Sequence, residues 1–135
     1  MAEKKNPGII VATHGDFCCE LLRSTKMIFG DFERVTPVPL KEGMSPEEYE
    51  TELRGACAAY ENNVIILVDL FSGTPFRVSA MLAQEIKMVL ITGVNMSMVI
   101  DAIQLRGELS GKELADTLIE YGRESIQDVM AALET

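Results

Sequence analysis

The sequence predicts an α/β domain, a doubly wound and mainly parallel four-stranded sheet of order 2-1-3-4 with helices on both faces. Three observations carry that expectation. Short apolar runs of strand length alternate with segments whose apolar residues recur at helical spacing. Two of the runs, Ile9 to Ala12 and Val64 to Val68, are continuous rather than alternating, as in strands covered on both sides. Each of those two is followed by a glycine-containing turn and a helix start, the pattern of a βα unit.

The first strand, within Gly8-Ile9-Ile10-Val11-Ala12-Thr13-His14, stops at the only histidine in the protein. Gly15 permits a sharp turn there, and Asp16 can cap a helix opening at Phe17. Cys18, Leu21, Leu22, Thr25, Ile28 and Phe29 share one face of that helix, and Gly30 closes it. Val35 to Leu40 makes a short second strand that Pro37 and Pro39 confine to an edge. Ser45-Pro46-Glu47-Glu48 is a helix start, with a cap, a first-position proline and acids in the first turn. Tyr49, Leu53, Ala56, Cys57 and Tyr60 follow on one face.

Val64 to Val68 is the most hydrophobic run and the best central strand. Asp69 leaves it at the carboxyl end, and Thr74-Pro75 reads as a cap and first-position proline of a helix to about Glu85. Met88 to Thr92 forms a fourth strand, followed by Gly93-Val94-Asn95-Met96-Ser97 and a short helix through Gln104. Gly107 to Ser110 is a break, and Lys112 to Tyr121 is helical up to Gly122. Ile126, Val129, Met130 and Leu133 have helical spacing, yet the segment is also short enough for a terminal strand.

At 135 residues the chain is one domain, with residues 1–7 a polar tail and residues 8–135 the folded unit. No apolar run approaches the roughly 20 residues that span a bilayer, and no signal peptide precedes the first strand, so a cytoplasmic protein is expected. The net charge of −9 disfavours nucleic acid and anionic membrane as partners. Cys18, Cys19 and Cys57 form neither a CxxC nor a zinc pattern and read as buried reduced thiols. The methionines Met27, Met81, Met88, Met96 and Met98 read as core filler, although Met27, Met96 and Met98 could ring a crevice.

In the order 2-1-3-4, the first and third strands are neighbours flanking the switch point, where a crevice opens at the carboxyl ends. His14 and Asp69 would face each other at its mouth. A carboxylate accepting from one ring nitrogen fixes the tautomer and presents the other nitrogen as a nucleophile. Ser72-Gly73-Thr74, just ahead of a helix, offers backbone N–H groups, a hydroxyl and a dipole end for a phosphoryl group. The turn at Gly15 and Asp16 offers the same features again. The sequence has no phosphate-loop motif, no GxGxxG and no second histidine for zinc, so no cofactor or metal is expected. A lone histidine is usually structural, and Asp69 or Thr74 alone could be ordinary caps. Their joint placement at two strand ends favours chemistry.

Ile10-Val11-Ala12-Thr13-His14-Gly15 and Val68-Asp69-Leu70-Phe71-Ser72-Gly73-Thr74-Pro75-Phe76 closely resemble the two signatures of the mannose-type enzyme IIA domain. That domain belongs to the bacterial phosphoenolpyruvate-dependent sugar phosphotransferase system. Gly93-Val94-Asn95 resembles a third family segment, Lys26 to Gly30 the end of the family's first helix, and Gly122-Arg123-Glu124 its late turn. The resemblance covers about Gly8 to Val129.

It implies that His14 accepts a phosphoryl group on Nε2 from the histidine-containing phosphocarrier protein and passes it to a cognate IIB domain. It places Asp69 on Nδ1 and Thr74 close to the phosphoryl group, with Gly15, Ser72 and Gly73 as further phosphoryl-binding positions. Partner contacts are expected at Met27, Phe71, Asn95 and Met96. Membrane contact would be indirect, through the IIC/IID pair. The family also implies a homodimer in which residues 125–130 cross as a fifth, antiparallel strand; the chain stops soon after Val129, so a free-standing protein without the IIB domain fused behind some relatives is expected. Other readings are the phosphotransfer subunit of dihydroxyacetone kinase, a regulatory module marked on histidine, and, more weakly, a metal-free hydrolase.

Overall fold

A computed structural model describes residues 5–134 of the chain. Four parallel strands form one sheet in the order β2-β1-β3-β4: β1 Gly8–His14, β2 Val35–Leu40, β3 Val64–Val68 and β4 Val89–Thr92. Among the described residues six helices accompany the sheet: α1 Phe17–Phe29, α2 Pro46–Ala59, α3 Thr74–Leu82, α4 Met96–Leu105, α5 Gly111–Glu124 and α6 Val129–Leu133. The expected order 2-1-3-4 and the coverage of both faces are what the chain adopts.

The pleat of the two inner strands divides the core. Ile9, Val11, Ile65 and Leu67 face α1, α4 and α5, and meet Leu22, Met98, Val99, Leu114 and Leu118. Ile10, Ala12, Ile66 and Val68 face α2 and α3, and meet Tyr49, Leu53, Cys57, Val78 and Leu82. Both sides of β1 and β3 are dry, which is why their sequences run apolar without alternation. The crossover through α1 leads outward to β2 and the one through α2 leads back past β1 to β3. Right-handed crossovers in opposite directions require those two helices on opposite faces.

Local sequence explains most helix boundaries. Ser45 and Glu48 form a reciprocal capping box ahead of α2, with Pro46 at the first helical position. The Asn95 side chain accepts from the Met98 N–H and starts α4. Other expectations are corrected. Asp16 stands at the start of α1 but makes no side-chain cap; the buried Thr13 hydroxyl takes the Cys18 N–H instead, at 2.9 Å. Thr74 is the first residue of α3 rather than its cap, a position held by Gly73, and α3 stops at Leu82. Gly122 does not end α5; it is buried inside that helix, where a Cβ would lie 3.5 Å from the Met98 terminal methyl. Met27 and Met81 are exposed, so they are not core filler.

Residues 125–130 form no strand. Asp128 accepts from the Ala131 N–H and opens α6, so the helical spacing of the tail prevails, with no apolar side chain of α6 buried. The expected tail at residues 1–7 lies partly outside the described residues. Its end is held at the amino ends of the strands by Arg106, whose buried guanidinium donates to the carbonyls of Pro7, Arg34 and Glu33. Arg34 in turn donates Nε–H to the Asn6 carbonyl and lies over the Tyr60 ring.

Replacing Arg106 with Leu removes these charge-assisted bonds and leaves carbonyls without their donor, a loss of about 2–3 kcal/mol. The expected outcome is a lower urea midpoint at unchanged m-value, and an unaltered midpoint would show that the clamp contributes nothing. Cys18 and Cys57 are buried and Cys19 half-buried, all as free thiols. Burial pushes the Cys18 thiol up to about 11 and raises that of Cys57, so both remain protonated at pH 8. Iodoacetamide at pH 8 is therefore expected to label Cys19 first in the folded protein. Mass mapping that finds Cys18 labelled first would contradict the buried-thiol assignment.

Candidate functional site

The parallel sheet brings the carboxyl ends of β1 and β3 side by side, and with them His14 and Asp69. The ring Nδ1 of His14 lies 2.9 Å from Asp69 Oδ2, and the His14 backbone N–H donates to the same oxygen at 3.0 Å. The other oxygen, Oδ1, accepts from the Leu70 N–H at 3.0 Å. Three donors thus converge on one carboxylate, which can only accept. Its polarity fixes the proton of the ring on Nδ1 and leaves the Nε2 lone pair free. The histidine side chain is 43% exposed and the aspartate only 12%. The carboxylate is seated, while the ring reaches solvent.

The turn after Asp69 lies against the far edge of the ring. Gly73 adopts φ +90° and ψ 177°, a conformation open essentially to glycine alone. Its backbone passes so near the imidazole that a Cβ there would stand 2.6 Å from Nε2. Because Gly73 occupies the capping position, the Thr74 hydroxyl is not spent on the helix start. It accepts a long bond from Arg77 at 3.5 Å. Pro75 contributes no N–H, and the Arg77 N–H returns to the Gly73 carbonyl. Ser72 is exposed beside them.

The second helix start near the ring is different. The Gly15 N–H donates to the Leu40 carbonyl at 2.8 Å, and the Cys18 N–H goes to Thr13. Gly15 therefore serves the turn, at φ +57°, with its own N–H already committed. The beginning of α3 lies against the ring at Gly73.

Of the expected contact residues, Phe71 is 77% exposed in the turn after β3, its ring packed on Phe76 at 4.6 Å. Asn95 and Met96 follow β4 at the same end of the sheet, half-buried. Met27 is 87% exposed but sits ten residues beyond Phe17, about 15 Å down α1 and away from the strand ends. It does not border the crevice. Phe17 and Leu70 are exposed apolar residues close to His14 and Asp69 in the chain. Leu70 is not marked by periodicity, since a strand-end turn has none. The capping role of Thr13 was equally hidden, because it acts across five residues at a strand–helix junction.

A groove of about 490 Å³ runs along the open edge of β4, between Phe71, Phe76, Leu90, Ile119 and Ile126. It adjoins the crevice through Phe71 and Asn95 and does not contain His14. Among the described residues no helix is long and apolar enough to cross a membrane.

A family model described as the phosphotransferase-system (PTS) fructose IIA component, EIIA-man, matches residues 8–119. The chain is 32% identical over 131 residues to the PTS fructose-specific EIIA component of Bacillus subtilis, covering 93% of this chain and 88% of that one. It is 28% identical over 127 residues to the mannose-specific EIIAB component of Escherichia coli, of whose length it spans 39%. The crystal structure of a phosphotransferase-system EIIA component from Streptococcus agalactiae superposes with a TM-score of 0.85 at 30% identity, over 92% of this chain and 98% of that one.

Proposed function

The chain belongs to the EIIA-man family of phosphotransferase-system sugar-uptake components, and from that premise we propose that His14 carries a phosphoryl group on Nε2 between two other proteins. The donor is the histidine-containing phosphocarrier protein and the acceptor a cognate IIB domain. The observation that carries the reading is the Asp69 carboxylate on Nδ1, 2.9 Å away, on a ring whose side chain is 43% exposed.

Transfer breaks the N–P bond of the donor phosphohistidine and forms an N–P bond at Nε2. The donor ring leaves with its electron pair, and the His14 ring, still protonated on Nδ1, becomes a cation. Asp69 stabilises that charge without taking the proton. Exchange between two imidazoles is close to balanced in energy, so alignment and electrostatic support suffice. The oxygens of the phosphoryl group fall to the Ser72–Thr74 turn and the start of α3. Phe17, Leu70 and Phe71 give the crevice an apolar rim for transient docking, with Asn95 and Met96 beside it. The action is cytoplasmic, where the phosphocarrier is found.

A second copy of the chain is proposed to cover the open β4 edge. Ile126 lines the groove along that edge, and Val129, Met130 and Leu133 follow it in the chain, all four exposed. An unpaired strand beside an apolar segment is a natural site of pairing between chains.

Incubation with phosphoenolpyruvate, enzyme I and the phosphocarrier is expected to place one acid-labile, base-stable phosphate on the wild type and none on His14→Ala. Label persisting on that variant would remove His14 from the relay. Every partner of the Asp69 oxygens is a donor, so the amide of Asp69→Asn must face one of them with its own N–H. Where it faces the ring, the proton moves to Nε2 and the nucleophile is lost. Transfer is expected to slow about 100-fold or more with the thermal midpoint nearly kept; full-rate transfer would refute the orienting role. Sedimentation equilibrium is expected to give a dimer for the whole chain and a monomer after removal of residues 126–135. An unchanged mass would place the interface elsewhere.

A further inference from the structure

Arg77 is a cation placed where a helix disfavours one. It is the fourth residue of α3, a helix with no acid in its first turn, and the positive end of the helix dipole repels a guanidinium there. The chain holds 21 acidic and 12 basic residues, so carboxylates to pair with are plentiful. Arg23, Arg34 and Arg54 each have one, and Arg106 donates to carbonyls. Arg77 is exposed and forms no ion pair among the described residues. Glu47 and Glu50 share a notch with it between the starts of α2 and α3, but Glu50 is bonded to Arg54 and Glu47 stays apart.

The direction of the side chain is the second observation. Helical side chains lean toward the amino end of their helix, and Nη2 of Arg77 meets the Thr74 hydroxyl, three residues back, at 3.5 Å. Arg77 stands about 6 Å along α3 from Gly73. Gly73 is the residue whose backbone lies against the His14 ring, where a Cβ would be 2.6 Å from Nε2. The guanidinium is thus held over the helix turn that abuts Nε2, by a bond long enough to be given up at little cost.

We propose that Arg77 leaves Thr74 and pairs with the phosphoryl group once His14 carries it. This rests on the proposed relay and adds to it a catalytic cation supplied by the chain itself. The group brings about two negative charges near pH 7. Asp69 offsets the positive charge of the ring, and the Ser72–Thr74 turn offers only neutral donors. Arg77 supplies a full positive charge, on a planar fork that matches phosphoryl oxygens. It forms no covalent bond and moves no proton.

The test labels the wild type, Arg77→Gln and Arg77→Lys with two phosphoryl donors, the phosphocarrier and the small molecule phosphoramidate. Both donors are expected to label Arg77→Gln about tenfold more slowly, with part of the loss recovered in Arg77→Lys. A loss confined to the phosphocarrier would mean that Arg77 meets the docked protein instead, and that overturns the proposal. Equal labelling of wild type and Arg77→Gln by both donors overturns it as well. The wild type gives a direct readout by NMR. On phosphorylation with phosphoramidate the Arg77 Nε–H signal is expected to shift, and to stay in place in His14→Ala treated alike. An unmoved signal in phosphorylated wild type would sink the assignment. A wild type that neither donor labels would instead remove the relay itself, and the role of Arg77 with it.

Discussion

One carboxylate holds the top of this molecule together. Asp69 receives the backbone N–H of His14, the ring Nδ1–H of His14 and the backbone N–H of Leu70, so it ties the end of β1 to the end of β3. These strands flank the point where successive crossovers part to opposite faces, and the crevice there is a consequence of topology. The carboxylate makes the crevice chemically useful. As an acceptor surrounded only by donors it dictates where the imidazole proton lies, and a largely buried anion beside an exposed ring can offset a charge that develops on the ring.

Around that pair the two helix starts have diverged. At α1 the Cys18 N–H goes to the Thr13 hydroxyl and the Gly15 N–H to the Leu40 carbonyl, which fasten that end to the sheet. At α3 the capping position is a glycine with no side chain to offer, and the hydroxyl of Thr74 stays outside the cap. Polar capacity is thereby left unspent next to the ring edge. The same glycine lets the backbone approach where any side chain would collide with Nε2. A lost cap and an unusual backbone both weaken a helix start, and such weakness concentrates where structure serves chemistry.

Stability is supplied at the opposite end and in the interior. Arg106 gathers the carbonyls of Pro7, Glu33 and Arg34 beneath the sheet, and the two faces of β1 and β3 are fully covered by helices. With the core and the floor secured, the strand-end face can expose Phe17, Leu70 and Phe71 for association. The sheet edges differ for the same reason. Pro37 and Pro39 remove donors from β2 and discourage pairing, whereas β4 carries no proline and lies beside an apolar groove.

The order of elements, both central strands, the edge strand with its prolines and the start of α2 are legible in the sequence because each is governed by short-range physics. Periodicity, proline geometry and the capping box act within a few residues. The facing of His14 and Asp69, 55 residues apart, was also legible, because a parallel sheet delivers all its strand ends to one face. What the sequence did not determine depends on which atoms meet across the fold. It did not show that Thr13 rather than Asp16 serves α1, or that Gly122 packs inside α5 against Met98 instead of ending it. Nor did it show that Met27 lies a helix length from the crevice. The approach of Gly73 to Nε2 belongs with these, since the space at a missing side chain exists only when a distant element comes to fill or leave it. Helix direction, burial and close approach are properties of the assembled chain, and tertiary packing alone decided them.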